Sequence, residues 1–435
     1  MAGAGDACSR RAIVVVGAGA AGLWAAQRAG VLLQARGERP DVLLLEKTPR
    51  AGTKILASGG TRCNLTTTLG PQSAAQLFGT EGGRFLKTAF RVLPPSAVRE
   101  QFLAWGVPSV EAPLDKVFPA SGSARDVRDA LVRACEAAGV EMRRECPVTG
   151  VEPDGNGWLV HLADGRSIGA RRLLLSPGGK SYPGSGTTGD GYSWLAALGL
   201  EVIPGAPALV PLVSPAPWVH ELTGLSVQDA VVRLWDTEGT ILGTRERPVL
   251  FTHRGLSGPG AMDLSHVVAR AMEGHDARGP GTPGFTMEVD LLPGVTRDAL
   301  ADQLRVAAAR RGAPTVVRLL AGELPRRLVE TVCRQAGLDA QIRCHVLPRA
   351  KRHLLVEQLK ALPVPISGTA GFDEAEVTAG GLALRELDPG TMRVKRFQDL
   401  YVFGEVVDLH GPIGGLNFQA AFSTAELAAV AAARG

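Results

Sequence analysis

The spacing Gly17-Ala-Gly-Ala-Ala-Gly22 can receive a pyrophosphate. Gly17 permits a tight turn, and Gly19 lets backbone N–H groups approach phosphate oxygens. Gly22 lets a helix pack closely on a strand, while the positive end of that helix faces the anion. Ala20 and Ala21 complete this cradle. Glu46 closes the apolar run that starts at Asp41, where a carboxylate accepts hydrogen bonds from an adenosine ribose. The expected ligand is an adenine dinucleotide.

Which dinucleotide depends on the other end of the chain. Leu400-Tyr-Val-Phe-Gly404-Glu405 reads as strand, glycine and acid, and Gly411-Pro-Ile-Gly414-Gly415-Leu416-Asn417 opens a last helix. Glycines there admit backbone N–H groups close to a flavin ring. A positive helix end suits the charge that builds near N1/C2=O on reduction. This predicts FAD. The alternative is a capped surface helix after a glycine turn.

Directly after the ribose acid, Lys47, Lys54 and Gly60 suit a loop hugging the pyrophosphate, and Arg62 and Asn64 can bond a flavin or substrate carbonyl. Cys63 between them has no His nearby in sequence and is expected to be a small buried thiol rather than a nucleophile. Gly178, Gly179 and Asp190 frame a third glycine-rich segment. Its Gly184, Gly186 and Gly189 imitate a second nucleotide fingerprint, but they follow Tyr182-Pro183 rather than a buried strand. The segment is expected to be a loop feeding a helix near Asp190, so a nicotinamide donor, NAD(P)H, would bind only transiently. His253, within Thr252-His-Arg-Gly-Leu-Ser257, and His410, just before the last glycine turn, are the candidate proton-handling catalytic residues; each also reads as a polar turn residue. No hydrolase triad, P-loop or metal-ligand spacing is present, so no metal is expected.

The elements that must position these groups follow from the patterning. The 435 residues, 45% hydrophobic and 21% charged, describe a globular chain of two or three domains. The net charge is only +4, and the basic residues read as scattered, which sets nucleic acid aside. Six cysteines without a C-x-x-C fit reduced thiols. The Arg10-Arg11 pair with the apolar run 12–26 imitates an export signal, but strand, turn and helix already explain it. No other run reaches membrane length, so a cytoplasmic protein with no membrane partner is expected.

Helices are expected near 84–104 and 124–138. Strands at 147–152, 158–162 and 172–175 form a meander whose last member returns to the main sheet. The fold class expected is α/β: a discontinuous Rossmann-like FAD-binding domain of residues 1–204 and 366–435. Inserted into it are a β-rich subdomain, 205–292, with the period-2 strand Phe285–Leu291, and a helical subdomain, 293–365, with helices at 297–311, 315–336 and 351–361.

Several ordered motifs extend this reading: GTKILASGGTRCNLT at 52–66, GGKSYPGSGTTGDGY at 178–192, FTHRGLSGP at 251–259, TAGGL at 378–382 and YVFGEVVDLHGPIGGLNFQAAFS at 401–423. With GAGAAG at 17–22, they resemble the BaiN/YhiN-like family of NAD(P)/FAD-dependent oxidoreductases. The chain departs from that family at Thr61, usually glycine, at Thr67-Thr68, at Phe403, and at His410, usually an acid. The resemblance implies an enzyme passing hydride through flavin N5, with NAD(P)H-linked reduction of a small organic substrate such as an enone. A flavin oxidase acting on a small amine or amino ketone, or a non-catalytic redox-sensing flavoprotein, are the alternatives.

Overall fold

Ala12-Ile-Val-Val-Val16 carries β-branched side chains on both faces, as a strand covered on both sides requires. In the computed structural model, which describes residues 10–273 and 284–434, it is the strand Arg11–Val16 at the centre of a sheet. Cys8 lies outside the described residues. Arg11, the second of the two arginines, opens that strand and pairs with Asp41 and Glu141.

The strand runs parallel to Val42–Leu45 on one side and to the second half of Ser167–Leu175 on the other. Ser167–Leu175 serves two ladders. Its first half pairs antiparallel with Gly157–Leu162, which pairs with Val148–Asp154. Its last residues pair in parallel with Leu400–Val402. The meander therefore returns to the main sheet, as its pattern indicates. Glu141–Arg143 completes a seven-stranded sheet among the described residues.

The first helix, Ala20–Ala35, packs against the last, Leu416–Arg434. Small residues line the buried faces of both, including Ala25, Ala26 and Ala29 on one and Ala425, Ala428 and Ala429 on the other. Trp24 joins Phe102, Trp105 and Phe422 in one aromatic cluster with centroids 5.0–6.1 Å apart, each pair contributing ~0.5–1.5 kcal/mol beyond area burial. Glu426 of the last helix accepts Trp24 Nε1 at 3.0 Å and Arg28 Nε at 2.7 Å, locking the two ends of the chain together.

Two compact units result, one of residues 1–205 and 376–435, the other of 206–375. In the second, Ile241–Glu246, Val231–Trp235, Phe285–Asp290 and Leu362–Ile366 form an antiparallel sheet in that order. Its β-rich and helical stretches share one hydrophobic core.

Local breaks differ from the periodic reading. The run 84–104 is two helices, Gly79–Val92 and Pro95–Ala104, because Pro94-Pro95 removes donors and clashes with a continuing turn. Pro325 likewise divides 315–336 into Val316–Leu320 and Arg326–Gln335. The long loop after Glu46 contains a short helix, Thr53–Ala57.

Candidate functional site

Gly17 adopts φ +98°, and a Cβ on Gly22 would fall inside the Gly17 carbonyl, so both must be glycine for strand and helix to meet. Gly19 differs. It is extended, caps the helix without a side-chain bond, and has no atom within 4 Å of its Cβ position. Its neighbours Ala20, Ala21 and Gly22 form a first turn without acidic residues, and first-turn N–H groups have no partner inside a helix. This is open space in front of a positive helix end. The Glu46 carboxylate accepts Ala18 N at 3.0 Å, Thr48 N at 2.8 Å and Thr48 Oγ1 at 2.7 Å. The acid is thus fixed beside the glycine turn by backbone donors.

Both lysines after Glu46 are drawn into ion pairs within the protein. Lys47 Nζ lies 2.7 Å from Asp190 Oδ2 and 2.6 Å from Thr188 Oγ1. Asp190 begins the helix Asp190–Ala197, so the glycine-rich third segment does feed a helix there. Lys54 Nζ lies 2.5 Å from Glu405 Oε2 and 2.6 Å from Ser181 Oγ. Glu405 Oε1 accepts Ser181 Oγ at 2.6 Å and Thr378 N at 3.0 Å. Next to Gly178, Gly179 permits this knot, since a Cβ there would sit 2.8 Å from Glu405 Oε1. Ser181 and Thr378 join this hydrogen-bond network although sequence spacing passed over them; only the adjoining motifs marked their neighbourhood.

The chain ends converge on the same region. Gly404 approaches Ala21, whose Cβ lies 2.9 Å from the Cβ position of the glycine. Gly414 and Gly415 have φ of +149° and +78°. A Cβ on Gly415 would collide with the Thr66 carbonyl, so the strand Thr66–Thr67 fits against the start of the last helix at Leu416 only because Gly415 lacks a side chain. The Asn417 amide accepts Gly411 N at 2.8 Å and donates to Gly411 O at 2.9 Å, bracing the loop that carries His410. His410 itself is half-buried.

Of the remaining loop residues, Gly60 opens on free space and Arg62 is exposed, with its guanidinium 4.4 Å from the Phe118 ring centroid. Asn64 Oδ1 accepts Val117 N at 3.2 Å. Cys63 is fully buried, and desolvation pushes its thiol up to about 12, so it holds its proton at neutral pH.

His253 belongs to the second unit, exposed in the turn between Val249–Phe251 and Gly255–Ser257. Thr252 Oγ1 accepts Arg254 N and Gly255 N there, which is a hydroxyl-closed turn.

The first unit thus gathers two glycine-opened helix starts, a backbone-fixed acid and a Lys–Glu pair. An ADP-bearing flavin fits this set, because the space in front of Gly19 is free and faces a helix end that favours phosphate. Among the described residues no cluster of His, Cys, Asp or Glu could hold a metal ion, and no helix is long and apolar enough to cross a membrane.

Comparison with known proteins agrees with the motifs. The profile of the HI0933-like protein Rossmann domain matches residues 11–431. A ribosomal RNA dihydrouridine synthase of Escherichia coli (strain K12) is 33% identical over 95% of both chains. A 3-dehydro-bile acid delta(4,6)-reductase of Clostridium scindens is 27% identical over 97% of this chain and 98% of that one. Among solved structures, a 3-ketosteroid-delta4-(5alpha)-dehydrogenase from Rhodococcus jostii RHA1 superposes with a TM-score of 0.50 at 15% identity, covering 98% of this chain and 97% of the other. That likeness is one of fold.

Proposed function

Because this chain belongs to the HI0933-like family of FAD-dependent oxidoreductases, we propose that it reduces a carbon–carbon double bond conjugated to a carbonyl. FAD, when bound and reduced by NAD(P)H, supplies the hydride for the β-carbon of such a bond. The residues around it do the rest. N–H groups of Ala20, Ala21 and Gly22 hold the pyrophosphate, and Glu46 takes the ribose hydroxyls. The start of the last helix at Gly415-Leu416 stabilises negative charge on the ring side, with the Gly411–Asn417 brace keeping that loop in place. His410 supplies the proton that the α-carbon needs.

The observation that carries this reading is the meeting of Gly404 with Ala21 in one unit built from both chain ends. It joins the pyrophosphate cradle to the segment that leads into the last helix.

For the substrate, uridine in RNA is our first reading. The C5=C6 bond of uracil is conjugated to its C4 carbonyl, and the relative named for dihydrouridine synthesis is the more similar of the two. A small enone is the second reading, favoured by the bile acid reductase relative; both substrates present the same conjugated bond. The test is anaerobic. NADPH or NADH should bleach the flavin, and uridine-bearing ribosomal RNA or a steroid dienone should restore its colour, with a product two hydrogens heavier. Inertness to both nicotinamides, with bleaching by a small amine or amino ketone, would replace this reading with an oxidase.

A further inference from the structure

The scattered charge expected from the whole sequence does not hold within the second unit. Between Arg297 and Lys360 stand thirteen Lys/Arg against six Asp/Glu, a net +7 in a chain whose total is +4. Eleven of the thirteen are arginine. Their placement is uneven. Arg297 Nε pairs with Glu357 at 3.0 Å, so helix Arg297–Ala309 runs antiparallel to Arg349–Lys360 and brings Arg310 and Arg311 to the end where Arg349 and Arg352 begin. Cys344 N donates to Pro314 O and Val316 N to Ile342 O, which adds Arg343 and His345 to the same end.

Arg310, Arg311, Arg343 and Arg349 are exposed and Arg352 is half-exposed. Among the described residues none of the five pairs with a carboxylate. Of the acids in this stretch, Asp302 pairs with Arg305, while Glu323 accepts Gln303 Nε2 and Asp339 accepts Gln341 N. Between the arginines stand Val306, Val346 and Leu354, exposed to 47%, 56% and 38%. Each comes from a different element.

We infer that this end of the helical layer is the surface that grips the phosphate backbone of folded RNA. The inference rests on the RNA reading of the substrate. Guanidinium forks match phosphate oxygens bidentately, which suits an arginine-dominated rather than lysine-dominated set. The only ring exposed among the patch residues named above is the small imidazole of His345, with no Phe, Tyr or Trp, so the patch recognises a duplex stem by shape and charge rather than by sequence. Three isolated apolar side chains on three elements do not make the continuous stripe that a membrane-lying helix presents.

The experiment uses the FAD-loaded full chain and a fluorescent hairpin RNA with a duplex stem. The triple variant Arg310→Glu/Arg311→Glu/Arg349→Glu should weaken hairpin binding at least tenfold and flatten the slope of log K against log salt by about 2. Its FAD content and its NADPH-driven reduction of a free small enone should be unchanged. Arg91→Glu/Arg133→Glu/Arg171→Glu, an equal charge change at exposed sites of the first unit, should bind the hairpin nearly as the parent does. Unchanged affinity in the first triple, equal loss in both, or a preference for phosphatidylglycerol vesicles over the hairpin overturns the inference. Hairpin binding through the patch without dihydrouridine formation would instead refute the substrate reading and leave the patch assignment intact.

Discussion

Lys54 and Glu405, 351 positions apart in the chain, hold each other with Nζ and Oε2 at 2.5 Å. Each side chain is about one-fifth exposed, and Glu405 also takes bonds from Ser181 and Thr378. Removing the carboxylate leaves a half-buried ammonium without its counter-charge and Thr378 N without its acceptor. Glu405→Ala should cost ~2–3 kcal/mol in urea unfolding and lower the flavin-to-protein ratio of purified material. A variant as stable and as yellow as the parent would deny the pair its clasp role.

The two glycines of the opening turn should respond in opposite ways. Gly22→Ala forces a methyl into the Gly17 carbonyl and should cost about 3 kcal/mol, with melting showing the loss even without flavin. Gly19→Ala places its methyl in open space and should leave apoprotein stability within ~0.5 kcal/mol. Flavin affinity should nevertheless fall, because that space is where phosphate belongs. Equal melting shifts in the two variants would contradict the assignment.

Glu46 is held by three donors beside the glycine turn. Replacing it by Ala should raise the FAD dissociation constant roughly 10–100-fold, the worth of a charge-assisted hydrogen bond of ~1.5–3 kcal/mol. Titration of apoprotein with FAD reads this directly, and an unaltered constant would remove the ribose contact.

His410→Ala should keep flavin and lose turnover, by roughly 100-fold if the imidazole supplies the substrate proton. His253→Ala, run beside it, tests the second histidine. Whichever variant turns over like the parent with full flavin content drops out as a proton donor.

The buried thiols predict an alkaline weakness. Desolvation pushes Cys63 and Cys135 from 9.0 up to about 12 in the folded protein. Their folded values lie above the unfolded ones, so the stabilisation is complete below pH ~9 and is lost as pH rises toward ~12. Unfolding free energy should decline across that window, less steeply in Cys63→Ala. Alkylation of Cys63 at pH ~8 should require denaturant.

Motifs with local causes were legible in the sequence. Gly17–Gly22, the strand ending at Glu46 and the meander of 148–175 each follow from spacing within a few residues. The short strand Ile241–Glu246 was not, because its exposed, charged residues lack an alternating apolar face. Lys47 with Asp190 and Lys54 with Glu405 were each named separately, but nothing in linear spacing says that they neutralise one another. The arginines of 310–352 are spread along the sequence, and only the antiparallel helices bring them to one end.

One strand, Ser167–Leu175, sits between Arg11–Val16 and Leu400–Val402. During synthesis its far edge at Leu173–Leu175 therefore stays bare until the distant strand Leu400–Val402 has also left the ribosome. Such late, sequence-distant closure slows folding and leaves a sticky apolar edge in the interim. Nascent chains halted before Leu400 should depend on chaperones and be unable to retain the flavin.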